Sequence, residues 1–139
     1  MTEPYQEKIN FLYCSKINNN NPISEYTFND FPMQYLFKLQ ALFFNFKVDE
    51  KYHVNVLVVN GKGELLIKTK NDFKIDITKI GEDKYTNRSH TNASMLVTLK
   101  TPIVNVIGED VYKFYISVTD EHDKILSEQS TFATIRKDI

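Results

Sequence analysis

Apolar and polar side chains alternate with a period of two along most of this chain, which is the signature of strands with at least one buried face. In "KINFLYCSKI" (8–17), Ile9, Phe11, Tyr13, Ser15 and Ile17 fall to one side and Leu12 and Cys14 to the other. Both sides are largely apolar, so a strand covered on both faces is expected. "NNNNP" (18–22) then breaks the pattern with residues that tolerate left-handed backbone, and reads as a loop. "ISEYTF" resumes alternation, with Ser24, Tyr26 and Phe28 against Ile23, Glu25 and Thr27.

The stretch "NDFPMQYLFKLQALFFNF" admits two readings. Asp30 is placed to cap a helix starting near Pro32, and Leu36, Leu39 or Gln40, and Phe43 recur at helical spacing, so one short helix is admitted over 32–42. Its Phe-rich second half suits a pleated surface, and the balance favours strand from about Leu36 onward. The clearest hairpin is "YHVNVLVVNGKGELLIKT", in which Val54, Val56 and Val58 share a face and Asn60-Gly61 is expected to supply the positive φ angles of a tight turn. "KNDFKIDITKI" predicts a further short strand. The polar connection 81–92 comes next, then alternation in "ASMLVTLKTPIVNV", "VYKFYISVT" and "KILSEQSTFATI". Seven to nine short strands with regularly spaced turns predict an all-β, antiparallel β-sandwich of Ig-like or C2-like layout. The absence of repeats, low-complexity tracts and linkers predicts one domain over 1–139.

Composition supports this picture. A chain of 139 residues can bury roughly 68% of its unfolded surface without a staple. Hydrophobic residues at 42% and charged residues at 25% are ordinary globular usage. The net charge of −1, from 17 basic and 18 acidic side chains, gives no long-range field to gather nucleic acid or anionic lipid, so neither is an expected partner. No apolar run approaches the roughly 20 residues of a spanning helix. The N-terminus, "MTEPYQEKINFLYC", lacks the basic start and unbroken apolar run of a leader, which makes the cytoplasm the expected compartment and leaves the sequons at Asn87 and Asn92 idle.

Chemistry concentrates in "SVTDEHDKIL", where Asp120, Glu121, His122 and Asp123 stand together. As a metal site the weak candidates are Asp120, His122 and Asp123. A calcium loop needs alternating carboxylates and a central glycine, and "DEHDKILSEQST" fails at the glycine. The flanking residues alternate as strands, so a hairpin turn is expected and no metal is assigned. The single cysteine, Cys14, rules out an intramolecular disulfide and a cysteine-based zinc cluster. Its place inside a strand predicts a buried, inert thiol even though His53, His90 and His122 are available as bases. "NGKGE" continues into a strand and so is a turn, not a phosphate loop. No G-x-S-x-G elbow is present.

"NFLYC", "FP", "VNVLVVNGKGE" and "VYKFYISVTDEHDKIL" together resemble, in layout, small bacterial β-sandwich families of unknown function. The resemblance implies a sandwich and carries no catalytic residues across. No catalytic residue and no cofactor are therefore assigned, and a non-enzymatic domain binding another protein or itself is expected. The 13% aromatic content points to an interface, with Phe31, Tyr35, Phe37, Tyr112 and Tyr115 as its candidates. A small-molecule carrier with a pocket between the sheets and a phage or prophage structural component are the alternatives.

Overall fold

The computed structural model describes residues 6–139; residues 1–5, the start of the N-terminal stretch in which no leader is expected, lie outside the described residues. Eleven strands are present among the described residues: β1 (Lys8–Ser15), β2 (Pro22–Ile23), β3 (Glu25–Phe28), β4 (Met33–Tyr35), β5 (Lys38–Lys47), β6 (Tyr52–Val59), β7 (Leu65–Phe73), β8 (Asn92–Lys100), β9 (Val104–Val106), β10 (Asp110–Thr119) and β11 (Ile125–Lys137). They form a four-stranded sheet in the order β2-β1-β5-β8, a five-stranded sheet in the order β3-β11-β10-β6-β7, and a ribbon of β4 and β9. The fold is an all-β sandwich. Its strands exceed the expected seven to nine because several, such as β2 and β4, are only two or three residues long. Pairing is antiparallel except for β3 against β11.

The sheets face each other across one apolar core. Leu39, Ala41 and Phe43 of β5 and Val54, Val56 and Val58 of β6 turn inward, as do Phe114, Ile116 and Val118 of β10. Two groups of rings fill the ends. Phe37 packs against Tyr26, Tyr35, Tyr112 and Phe114 at one end, while Phe46 meets Phe43, Tyr52 and Phe73 at the other. Phe37–Phe114 and Phe43–Phe46 are tilted; the other contacts are edge-to-face, which sets the positive ring edge against the negative face.

Four local expectations are corrected. The segment 32–42 contains no helix: every second side chain from Phe37 to Phe43 enters the core, so burial with period two overrides the helical spacing of Leu36, Gln40 and Phe43. In β1 a bulge between Ile9 and Phe11 adds one residue and reverses the facing of the residues after it. Ile9 and Cys14 are therefore buried while Phe11 is 40% exposed, and β1 is not covered on both faces. In the β6–β7 turn the positive φ falls on Gly63 (φ 82), not on Asn60-Gly61. Finally, 70–80 is no separate strand. Its start completes β7, and Ile75 makes only an isolated bridge to Val48.

Candidate interaction surface

The acidic stretch forms the tip of the β10–β11 hairpin. Asp120 N–H donates to Lys124 O at 3.0 Å and Asp123 N–H to Asp120 O at 3.1 Å. The Asp120 Oδ1 carboxylate oxygen accepts the His122 and Lys124 amides, both at 2.9 Å, and these bonds hold its carboxyl below the usual range. Asp123 accepts from Lys70 Nζ at 2.8 Å, which lowers its carboxyl in the same direction. The His122 ring is exposed beside Glu121. These side chains close a turn and brace it to β7. Among the described residues no group of three or more His, Cys, Asp and Glu is arranged to hold a metal ion.

Cys14 lies on the inner face of β1, 1% exposed, where burial pushes its thiol up to about 12 despite a hydrogen bond with Tyr26. A thiol so placed stays protonated at neutral pH. The histidines lie elsewhere. His53 is on β6 opposite Asp72 and Thr119, with Nδ1 3.1 Å from Asp72 Oδ1 but off the direction that a hydrogen bond needs. His90 stacks on Tyr85 with centroids 4.2 Å apart. The sequon amides are also engaged: Asn87 Nδ2 donates to Thr91 Oγ1 and Asn92 Nδ2 to Asn45 O.

The five aromatic interface candidates do not form one surface. Phe37 is fully buried and Tyr112 nearly so; both belong to the core, because their positions beside β5 and on β10 point between the sheets. Phe31 and Tyr35 are half-buried and pack edge-on against Phe28. Tyr35 borders an open concavity of about 730 Å³ along β2 and β3. Tyr115 points out from the five-stranded sheet, with its hydroxyl donating to Glu128.

A surface that the sequence did not single out lies on the outer face of the four-stranded sheet. Phe11 of β1 is in register with Leu42 of β5, and Leu42 with Leu96 of β8. These three form a row across the sheet, with Phe11 40% and Leu96 54% exposed. Phe44 adds to the row on one side, and Tyr13 stacks on Phe11 at 5.8 Å. The next row is covered. The 16–21 loop folds over it, accepting Tyr13 Oη–H and Lys38 Nζ at its carbonyls, while Gln40 Nε2 donates to Asn20 and Gln40 Oε1 accepts from Thr98. The strands β1, β5 and β8 carry Lys8, Lys38, Lys47 and Lys100, all at strand ends, and no Asp or Glu. Lys38 is buried under the 16–21 loop and Lys47 stands 3.9 Å from Glu50, so the outer face is apolar at its centre, with the exposed lysines Lys8, Lys47 and Lys100 at its rim.

The outer face of the five-stranded sheet is different in kind. One of its rows reads Lys70, Asn55, Ser117, Glu128 across four strands, and Asn55 Nδ2 donates to Ser117 Oγ at 3.3 Å. Phe132 is exposed there, but its cross-strand neighbour is Lys113. The apolar side chains Leu65, Val59, Leu57 and Tyr115 of this face stand in rows that also carry Lys113 and Lys68, whereas the row Phe11, Leu42 and Leu96 is apolar throughout.

No protein-family model matches this chain, and no curated protein matches it. Solved structures do match. A beta-glucuronidase of Bacteroides uniformis superposes over 93% of this chain with a TM-score of 0.63 and 8% identity, and the matched region is 14% of that enzyme. A bacterial adhesin of Mobiluncus mulieris containing intramolecular disulfide, isopeptide and ester cross-links matches over 95% of this chain, with a TM-score of 0.62, 10% identity and 58% of its own chain covered. A glycosyl hydrolase family 2 member from Bacteroides cellulosilyticus gives 0.60 and 10% identity, with 15% of that chain covered. Such low identity establishes the sandwich and nothing finer. The chain spans a small part of the enzymes that it resembles.

Proposed function

We propose that this chain is a non-catalytic β-sandwich module that binds a protein through the outer face of its four-stranded sheet. The observation that carries this reading is the in-register row Phe11, Leu42 and Leu96, exposed on a face with lysines at its margin and no carboxylate on β1, β5 and β8. Burying such a row releases water from contiguous apolar surface, and the lysine rim favours a partner whose contact patch is apolar and edged with acid. The reading draws further support from the neighbours, in which a sandwich like this one is a minor part of a longer chain. A carrier of small molecules has less in its favour, because aromatic rings fill the space between the sheets and the large concavity beside β2 and β3 is open to solvent.

The test is capture from a lysate of the source cells with the immobilised chain, comparing wild type with Phe11→Glu, Leu96→Glu and a control on the other face, Phe132→Glu. A partner held through the proposed face is retained by the control and reduced about tenfold or more by the first two, which corresponds to ~1.4 kcal/mol or more per site. Equal retention by all three variants would refute the assignment.

A further inference from the structure

We propose that two copies of this chain pair edge to edge through β8, in antiparallel register about a two-fold axis at Val97. This contact is made by the backbone edge of β8, whereas the reading above rests on side chains of the outer face; Leu96 serves both, through its N–H and its side chain, and Phe11 serves the face alone, so the proposal goes beyond that reading and can fail without it. A sheet edge presents unpaired N–H and C=O groups, and proteins guard such edges with short strands, prolines or charges. Three of the four edges of the two large sheets are guarded. β2 has two residues, one of them Pro22. β3 has four, headed by Glu25 in an ion pair with Arg136. β7 carries Lys68, Lys70 and Asp72. β8 alone is long and uncharged, from Asn92 to Leu99.

The backbone shows which groups are free. Phe37 O accepts Thr101 N–H at 2.9 Å, in the register that pairs Leu39 with Leu99. Odd-numbered residues of β8 therefore point their backbone groups at β5, and even-numbered ones point away. At the strand's start the outward groups are used: Asn92 O accepts Thr86 N–H, and Tyr85 bridges Ala93. The bridge of Tyr85 to Ala93 also turns the Ser94 N–H toward Lys84, and beyond it, from the Ser94 carbonyl to Lys100, no strand or loop among the described residues pairs with the outward side. Pairing this stretch with itself about Val97 sets Leu96 opposite Thr98 of the second copy, each pair exchanging both backbone hydrogen bonds, and leaves the Ser94 carbonyl to accept the Lys100 N–H.

Side chains agree with this register. Met95, Val97 and Leu99 face the core side, yet each is only half-buried at the rim of the sandwich. In the dimer Val97 meets its own counterpart, and Met95 meets Leu99, so the half-open rim closes into an apolar seam. Lys100 faces serine, so no like charges oppose each other across the new ladder. The contact is isologous and closes at two copies. A second copy is favoured over face-to-face stacking, which would bring two lysine rims together.

The experiment is sedimentation velocity over a wide concentration range on wild type, Leu96→Pro and Thr98→Lys, with circular dichroism to confirm that each variant is folded. Proline at 96 removes an outward N–H that β5 does not use, so the monomer fold is kept. The expected result is a wild-type dimer whose association midpoint rises about a hundredfold or more in Leu96→Pro, with a smaller rise in Thr98→Lys. Register is read by oxidation. Val97→Cys alone forms a covalent dimer, since non-hydrogen-bonded partners lie within disulfide reach. Met95→Cys alone does not, whereas an equimolar mixture of Met95→Cys and Leu99→Cys does. A strictly monomeric wild type, a dimer indifferent to Leu96→Pro, or Met95→Cys cross-linking to itself as readily as Val97→Cys would each overturn the proposal. None of these outcomes bears on capture through Phe11.

Discussion

The β6–β7 and β10–β11 hairpins close with the same backbone plan and different chemistry. In each, five residues turn the chain: Asn60 to Glu64 in one, Asp120 to Lys124 in the other. The first N–H donates to the fifth carbonyl and the fourth N–H to the first. The first side-chain oxygen accepts the amides of the third and fifth residues, and the fourth residue is left-handed. This is a type I turn followed by a left-handed residue, the usual three-residue hairpin loop. One tip uses a neutral amide and a glycine; the other uses a carboxylate and Asp123 at φ 63. The two segments that looked most like chemistry in the sequence, a phosphate loop and an acidic metal cluster, are thus two solutions to one turning problem. The carboxylate tip accepts a strained residue and a titrating group, and it gains an ion pair to Lys70 across the sheet.

The largest expected effect falls on the fourth position. Gly63 has φ 82 with nothing within 4 Å of where a Cβ would stand, so a substitution there is penalised by backbone conformation and not by crowding. Gly63→Val should cost about 2 kcal/mol by denaturant unfolding, because a β-branched residue is poorly tolerated at positive φ. A loss below about 0.5 kcal/mol would mean that the turn refolds into another type and that the shared plan is not enforced. The reciprocal change, Asp123→Gly, relieves the same strain but removes the contact with Lys70, so a small net gain in midpoint is expected, and it should grow as salt screens the ion pair away in the parent.

The first position comes next. Asn60→Ala deletes the acceptor of two backbone amides, at 3.0 and 2.9 Å, and should cost about 1–2 kcal/mol in the same measurement. Asn60→Asp keeps the acceptor but sets a second carboxylate against Glu64, whose Oε1 accepts the Asn60 amide at 3.1 Å, so at pH 7 its stability should fall between those of the parent and the alanine variant. Stability equal to that of the alanine variant would show that the amide nitrogen, which donates to Glu64 Oε1 at 3.1 Å, matters more than the turn.

Strands and tips were legible in the sequence because their cause is local. Alternation at Val54, Val56 and Val58 and turn-forming residues after Val59 specify a hairpin without reference to the rest of the fold. Asn-Gly suits a two-residue turn with positive φ at Asn60-Gly61, whereas bonds from the Lys62 and Glu64 amides to Asn60 Oδ1 stabilise the longer loop and put the left-handed residue at Gly63. The contact face was not legible. β1 and β5 carry apolar side chains on both alternate sets, so periodicity cannot distinguish the inward set from the outward one there; in β8 the alternation marks Met95, Val97 and Leu99 but gives no reason to look at Leu96 on the other side, and the bulge at Asn10 moves Phe11 out of phase with Ile9. The free edge of β8 exists only once strand order is known. Phe37 and Tyr112 belong to the core and not to a surface, which aromatic content alone cannot show, because it does not say which side of a sheet a ring occupies.

The smallest effect separates the two tips by acid. Asp120 and Asp123 have carboxyls held below the usual range by hydrogen bonds, Asp120 from backbone amides and Asp123 from Lys70. A carboxyl depressed in the folded state contributes stability that is fully present above its unfolded value, ~3.9, and is lost as pH falls through the folded value. The β10–β11 tip should therefore loosen below about pH 4. The β6–β7 tip, built on an amide, should not respond through its first residue. Amide exchange protection reads this directly: at His122 and Lys124 it should fall with acid while at Lys62 and Glu64 it holds, until the domain unfolds as a whole. In Asp120→Asn the difference between the tips should shrink, because the amide keeps an acceptor without a proton to bind. If the two pairs of amides lose protection together in the parent and the variant alike, the carboxylate is a passenger in its turn, and Asp120 is interchangeable with Asn60 at every pH.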